Sequence, residues 1–249
     1  MELFGYVLDS QELLVFATVG LLIGMSKVGI AGGGMIAVPL LAILFGGRES
    51  TGIMLPILII ADVFGVGFYH RHAKWEHLRK LLPYALSGIV LGTFFGSHID
   101  DNLFKITMAV IIFLSLGIMV WMEMNAQDSV PKSKAFAITT GMVGGFTTMV
   151  GNLAGSVMSL YLLAMRLPKN EFIGTSAWFF LVINIAKVPF HVLAWQTITL
   201  QSFLLGIVLV PAIALGAFAG LLIVRRIPEK LYRYFIMIMT LVACVFMIL

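Results

Sequence analysis

The sequence predicts an all-α polytopic membrane protein made of two inverted repeats, each a broken, re-entrant helix hairpin followed by three transmembrane helices. Three observations lead there. Apolar residues form 60% of the 249 positions and charged ones only 11%, where a soluble domain is about a quarter charged. The apolar runs reach the roughly 20 residues that a spanning helix needs and lack the period-two alternation of barrel strands. The third observation is that the chain repeats itself.

Pro83, Gly88, Gly92, Ile99, Asp101, Leu103, Phe104 and Lys105 lie a constant 128 positions before Pro211, Gly216, Gly220, Ile227, Glu229, Leu231, Tyr232 and Arg233. Upstream the offset is 122: Gly29, Gly33, Glu49, Gly52, Asp62 and Phe68 match Gly151, Gly155, Glu171, Gly174, Asn184 and Phe190. One slip across a loop is what a single insertion leaves, so we read a duplication. Residues 1–124 form the first repeat, 125–134 a linker and 135–249 the second.

Each half opens with an apolar stretch interrupted by small residues. In the first half Ser26–Gly34 separates Gln11–Met25 from Met35–Phe45; in the second Thr147–Ser156 separates Lys134–Phe146 from Val157–Met165. Three unbroken segments follow in each: Thr51–Tyr69, Leu81–Ser97 and Asn102–Trp121, then Phe172–Leu193, Leu200–Val224 and Leu231–Leu249. As one helix Gln11–Phe45 would be roughly 50 Å long against a hydrocarbon core of about 30 Å. Two half-helices joined near the midplane fit better.

Charge supports the hairpins. If both interrupted stretches enter and return, Arg71, Lys74, Arg79, Lys80, Lys132, Lys134, Arg166, Lys169, Arg225, Arg226, Lys230 and Arg233 share one side, and only Arg48 and Lys105 the other. If both cross, the bias vanishes. Basic loops stay cytoplasmic, which puts both termini outside. A hairpin plus three spans is an odd number of crossings, so the halves are expected to be inverted, with a site at the midplane where the broken helices meet.

Irregular backbone at membrane depth is tolerated only inside protein or around a wet cavity. Gly32, Gly33 and Gly34 allow close approach to the chain, and the helix start behind each patch offers free N–H groups to an anion. Ser26, Thr147, Thr148, Asn152, Gly155 and Ser156 belong to the same tips. Lys27 at the first tip and Lys187 within the sixth segment are basic groups at membrane depth, where ionisable residues are costly and usually functional. Near Lys187 stand Thr175, Ser176, Asn184 and His191, with Pro189 expected to kink the helix. Asp62 is a proton-coupling site or a buried partner of Lys27 or Lys187; the sequence leaves these open. Gly88, Gly92 and Gly96, four apart in a regular helix, read as packing. Three of the four tryptophans, Trp178 being the ambiguous one, read as an interfacial belt.

Other classes fare poorly. The net charge of +4 sits in short loops as a topology signal, so no nucleic-acid partner is expected. Cys244 is the single cysteine, which excludes an intrachain disulfide, and the His70–His77 loop reads as a solvated basic loop, so no metal is expected. The acidic start, with Lys27 the first basic residue, gives no cleaved leader. No Walker ending follows the glycines and no nucleophile elbow surrounds Ser156; neither an enzyme nor a cofactor is expected. The partners implied are membrane lipid and a small anionic substrate, with a homodimer left open.

The run Gly24-Met-Ser-Lys-Val-Gly-Ile-Ala-Gly-Gly-Gly-Met-Ile-Ala-Val-Pro39, with Gly174-Thr-Ser-Ala177 followed by Asn184, Lys187 and Pro189, resembles the signature of the TauE/SafE family. The second half departs from it, with Asn152, Ala154 and Ser156 in place of a fuller glycine run. The resemblance implies a bacterial inner-membrane exporter of sulfur anions, with 2-sulfoacetate favoured and sulfite next. A channel or carrier for another small solute, or a membrane subunit that transports nothing, is the alternative.

Overall fold

A computed structural model describes residues 2–30, 32–104 and 134–232, with parts of 106–117 and 234–239. A small antiparallel hairpin, β1 (Glu2–Leu3) and β2 (Tyr6–Val7), precedes the helices where the sequence suggested no element. Nine helices follow among the described residues: α1 (Ser10–Lys27), α2 (Gly33–Phe45), α3 (Gly47–Tyr69), α4 (Trp75–Ser97), α5 (Lys134–Gly151), α6 (Ala154–Ala164), α7 (Lys169–Pro189), α8 (Leu200–Val208) and α9 (Val210–Arg226). Most of the expected segments Asn102–Trp121 and Leu231–Leu249, and the linker before Lys134, lie outside the described residues. By length and hydropathy the helical runs Gly47–His72 and Lys169–Ala194 can each cross a membrane, and α8 with α9 makes a third span if taken as one bent helix.

Both interrupted stretches fold back on themselves. The rings of Phe16 and Phe45, at opposite ends of the α1–α2 pair, lie 5.9 Å apart; a continuous helix would separate them by about 44 Å. A Cβ on Gly33 would stand 2.7 Å from the Leu22 carbonyl oxygen, so α2 runs back along α1. The reversal passes through Gly29 and Gly32, at φ +114° and +91°, backbone that residues with a Cβ resist. In the second hairpin Phe136 stacks on Tyr161 at 5.7 Å, and Asn152 takes the left-handed turn at φ +57°, a conformation asparagine tolerates.

The packing is reciprocal between halves. Helix α1 lies against α9 and α5 against α4, and glycines make both contacts close. A Cβ on Gly24 or Gly216 would strike the partner's backbone at Ile213 or Leu21; one on Gly88 or Gly145 would strike Met142 or Ala85. Gly88, Gly92 and Gly96 therefore serve packing, as expected. Helices α3 and α7 run antiparallel: Gly52 near the start of α3 meets Thr197 beyond the end of α7, and Gly174 near the start of α7 meets Tyr69 and Ala73 at the end of α3. Between them the matched residues touch, with the Asn184 amide donating to Asp62 Oδ2 at 2.6 Å. Helix starts are capped by matched acids too. Asp101 accepts from the Gly47 and Arg48 N–H groups at 3.1 and 2.9 Å, and Glu229 accepts from the Lys169 N–H. Arg48 donates to the Ile99 carbonyl and Lys169 to that of Ile227, its counterpart.

Two expectations need correction. The segment Leu200–Val224 is not unbroken: it bends by 46° between α8 and α9. Pro211 removes a donor there and Gly206 weakens the turn before it; in the continuous α4, Pro83 is preceded at the matching position by Leu78. The run Phe172–Leu193 stays within one helical run, and at Pro189, where a kink was expected, it passes into a π-helical turn, Phe190–Ala194, where the Trp195 N–H reaches the Phe190 carbonyl at 3.0 Å. Trp195 is no belt residue either. It is buried, packs on Phe104 and His191, and its indole donates to the Thr93 carbonyl and Ser97 hydroxyl, both at 3.1 Å. A buried indole finds an acceptor. Trp75 is exposed and pairs with Trp178 at 5.3 Å; Trp121 lies outside the described residues.

Candidate functional site

The two hairpin tips meet beside the middle of α3 and α7 and leave a cavity of about 80 Å³. With about 30 Å³ taken up by each water, that is room for roughly three of them. A small oxyanion fits such a space; a nucleotide does not.

Its first wall is the α1–α2 tip, with Ser26, Lys27, Gly29, Gly32 and Gly34. Helix α2 opens at Gly32 without a side-chain cap, so its first N–H groups lack intrahelical acceptors. Lys27 reaches across to α3, where its ammonium lies 2.8 Å from Asp62 Oδ1 and 4.3 Å from the centre of the Phe180 ring. Asp62 is thus the buried partner of Lys27, and the Asn184 amide holds its second oxygen. Donation to the carboxylate fixes the orientation of the Asn184 amide. Its own Oδ1 is left buried without a partner among the described residues.

The second wall is the α5–α6 tip, with Thr148, Asn152 and Gly155; α6 also starts without a side-chain cap. Lys187 lies behind this wall, fully buried. It donates to the Thr148 carbonyl and hydroxyl at 3.1 and 3.2 Å and to Asn152 Oδ1. All three acceptors are neutral, and no carboxylate among the described residues pairs with it. Asn152 is itself fixed by donation to the Thr51 carbonyl at 3.3 Å. With both lysines protonated, two ammonium groups against one carboxylate would give this buried region an excess positive charge, which a bound anion would offset.

Of the residues expected from sequence, Ser26, Lys27, Gly32, Gly34, Asn152, Gly155, Ser176 and Asn184 line the cavity. Gly33 packs on α1 instead. The Ser156 hydroxyl turns back to the Leu153 carbonyl at 3.2 Å. Thr175 accepts from the Lys74 N–H at 2.9 Å, and His191 Nδ1 pairs with the Thr197 hydroxyl at 2.8 Å. None of these four forms part of the wall. The reason is helical register. Phe172, Ser176, Phe180 and Asn184, four apart on α7, all face the cavity; Thr175 points about 100° away, and His191 lies beyond Pro189. Counting back from Asn184 in fours would have found Phe180 and Phe172. Met54, Leu58 and Tyr232 also line the cavity, and no motif marked them. The Tyr232 hydroxyl donates to the Gly29 carbonyl at 2.9 Å, pinning the first tip.

No match is found among curated proteins. The model of one family, described as sulfite exporter TauE/SafE, matches residues 16–247. With nearly the whole chain covered, this protein belongs to the TauE/SafE family of membrane transporters.

Proposed function

We propose that the chain exports a small sulfur-containing oxyanion, 2-sulfoacetate first and sulfite next, through the cavity between the two hairpin tips. The observation that carries this reading is Lys187: a fully buried ammonium with neutral partners only, set behind an acceptor wall beside a second lysine. The uncapped starts of α2 and α6 converge on the same cavity and suit an anion. Antiparallel α3 and α7 meeting at matched residues support inverted repeats, which place the cavity near the midplane. The cavity is lined along α7 from Asn184 to Phe172 and along α3 at Met54 and Leu58, so it reaches to both sides of the Asp62–Asn184 contact. In this reading the basic end that carries Lys74, Lys169 and Arg226 is cytoplasmic in a bacterial inner membrane.

Export of an anion needs no coupled ion. Each charge moving through 100 mV is worth about 2.3 kcal/mol, so a dianion gains about 4–5 kcal/mol in a cell negative inside. Asp62, held by Lys27 and Asn184, serves as a structural counter-charge. The test is efflux from liposomes with the potential clamped by potassium and valinomycin at equal pH, across a panel of anions. Potential-driven flux of sulfoacetate or sulfite that is lost in Lys187→Met and persists in Asp62→Asn, provided that variant still folds, is expected. Rates indifferent to potential and abolished by collapsing a proton gradient would refute it.

A further inference from the structure

A second cavity lies far from the hairpin tips, at the basic end of the molecule where α4, α5 and α6 come together. Arg79, Lys80, Lys134 and Arg166 line it, with Tyr84 and Phe136 among its apolar walls. Lys80 is paired to Glu76 at 2.6 Å. The side chains of Arg79, Lys134 and Arg166 are exposed and have no ion-pair partner among the described residues. Three unneutralised cations around one cavity attract a polyanionic group, and the guanidinium forks suit phosphate.

A basic end is expected of the side of the membrane that carries the charge excess; what sets these residues apart is that they line one cavity. A surface on the same helices indicates what the occupant carries besides phosphate. Leu86, Val90 and Phe94, four apart on α4, are exposed, as are Met142 and Val143 on α5. Gly88 packs against Met142 and Gly145 against Ala85, so α4 and α5 present these residues side by side, along roughly 12 Å of helix from Leu86 to Phe94. A basic cavity opening onto an apolar face matches an amphipathic ligand.

We propose that this cavity binds the headgroup phosphate of an anionic phospholipid, whose acyl chains lie along α4 and α5. Basic pockets between helices at the cytoplasmic face hold such headgroups in other membrane proteins. The purified protein would be titrated with phosphatidylglycerol in phosphatidylcholine nanodiscs and bound lipid counted by native mass spectrometry. The triple variant Arg79→Gln, Lys134→Gln, Arg166→Gln should lose the tightest-bound phosphatidylglycerol, with affinity falling at least tenfold. A control with Arg225→Gln, Arg226→Gln and Lys230→Gln, at the same end of the molecule, should keep it. Glycerol 3-phosphate and inorganic phosphate, tested alone, should neither bind at comparable concentration nor displace the lipid. Equal retention of phosphatidylglycerol by both variants would mean unspecific annular lipid and overturn the proposal. Binding of the soluble phosphates with no lipid preference would overturn it as well. All six positions are exposed, and a thermal melt of each variant confirms that folding is unchanged.

Discussion

Lys27 and Asp62 show how little a residue's meaning depends on its own type. Either could have carried substrate or protons; placed 2.8 Å apart with Asp62 fully buried, each first of all neutralises the other. Removing one member of such a pair leaves an uncompensated charge and costs about 3–5 kcal/mol, while replacing both with apolar groups is often close to neutral. Lys27→Met should therefore lower the melting temperature clearly in detergent, and Lys27→Met with Asp62→Leu should recover most of the loss. A double variant no more stable than the single one would contradict the pairing. Asn152 calls for a different substitution. Its left-handed backbone would strain an alanine by roughly 1–2 kcal/mol, so Asn152→Gly is the cleaner way to remove the acceptor for Lys187. One charge-assisted hydrogen bond is worth about 1.5–3 kcal/mol; sulfite or sulfoacetate binding, read by calorimetry, should weaken roughly 10- to 100-fold. Unchanged affinity would take Asn152 and Lys187 out of the site.

At the scale of elements, α3 sets two glycines side by side in opposite situations. A Cβ at Gly65 would stand 2.5 Å from the Lys27 carbonyl oxygen, whereas one at Gly67 meets nothing within 4 Å. Gly67→Ala should hold or raise stability by about 0.5–1 kcal/mol. Gly65→Ala should push the first tip off α3, lowering both melting temperature and flux; equal behaviour of the two would show that the tip does not depend on this contact. Elements of this kind were largely legible in the sequence. Constant offsets pointed to a duplication, and length pointed to the folded-back pairs that are seen, because both are properties of order along the chain. The bend at Leu209 was not legible, since Pro83 at the matching position sits within one continuous helix. Most of the cavity's polar wall could be read from types and spacing. Met54 and Leu58 on its apolar wall could not, because large apolar residues in a membrane helix look alike until their neighbours are known.

For the whole molecule the central prediction is orientation. Single cysteines near Lys80, Lys169 and Arg226, introduced with Cys244 replaced, should be shielded from a membrane-impermeant reagent added outside, and cysteines near Glu2 and Asp101 should react. Outside labelling near Lys169 would invert the arrangement. The contact between Asp62 and Asn184 bears on how such a chain arose. Residues at matching positions that touch one another lie where the two copies are mirror images in role, the single place where a pair of identical chains must present the same side chain twice. Two aspartates there would repel, and two asparagines would leave Lys27 without a counter-ion. If the halves arose by duplication, the two positions could mutate apart only once both copies were joined in one chain, one supplying the charge and the other the donor that holds it. Such a chain has a lopsided centre that no assembly of identical halves can possess.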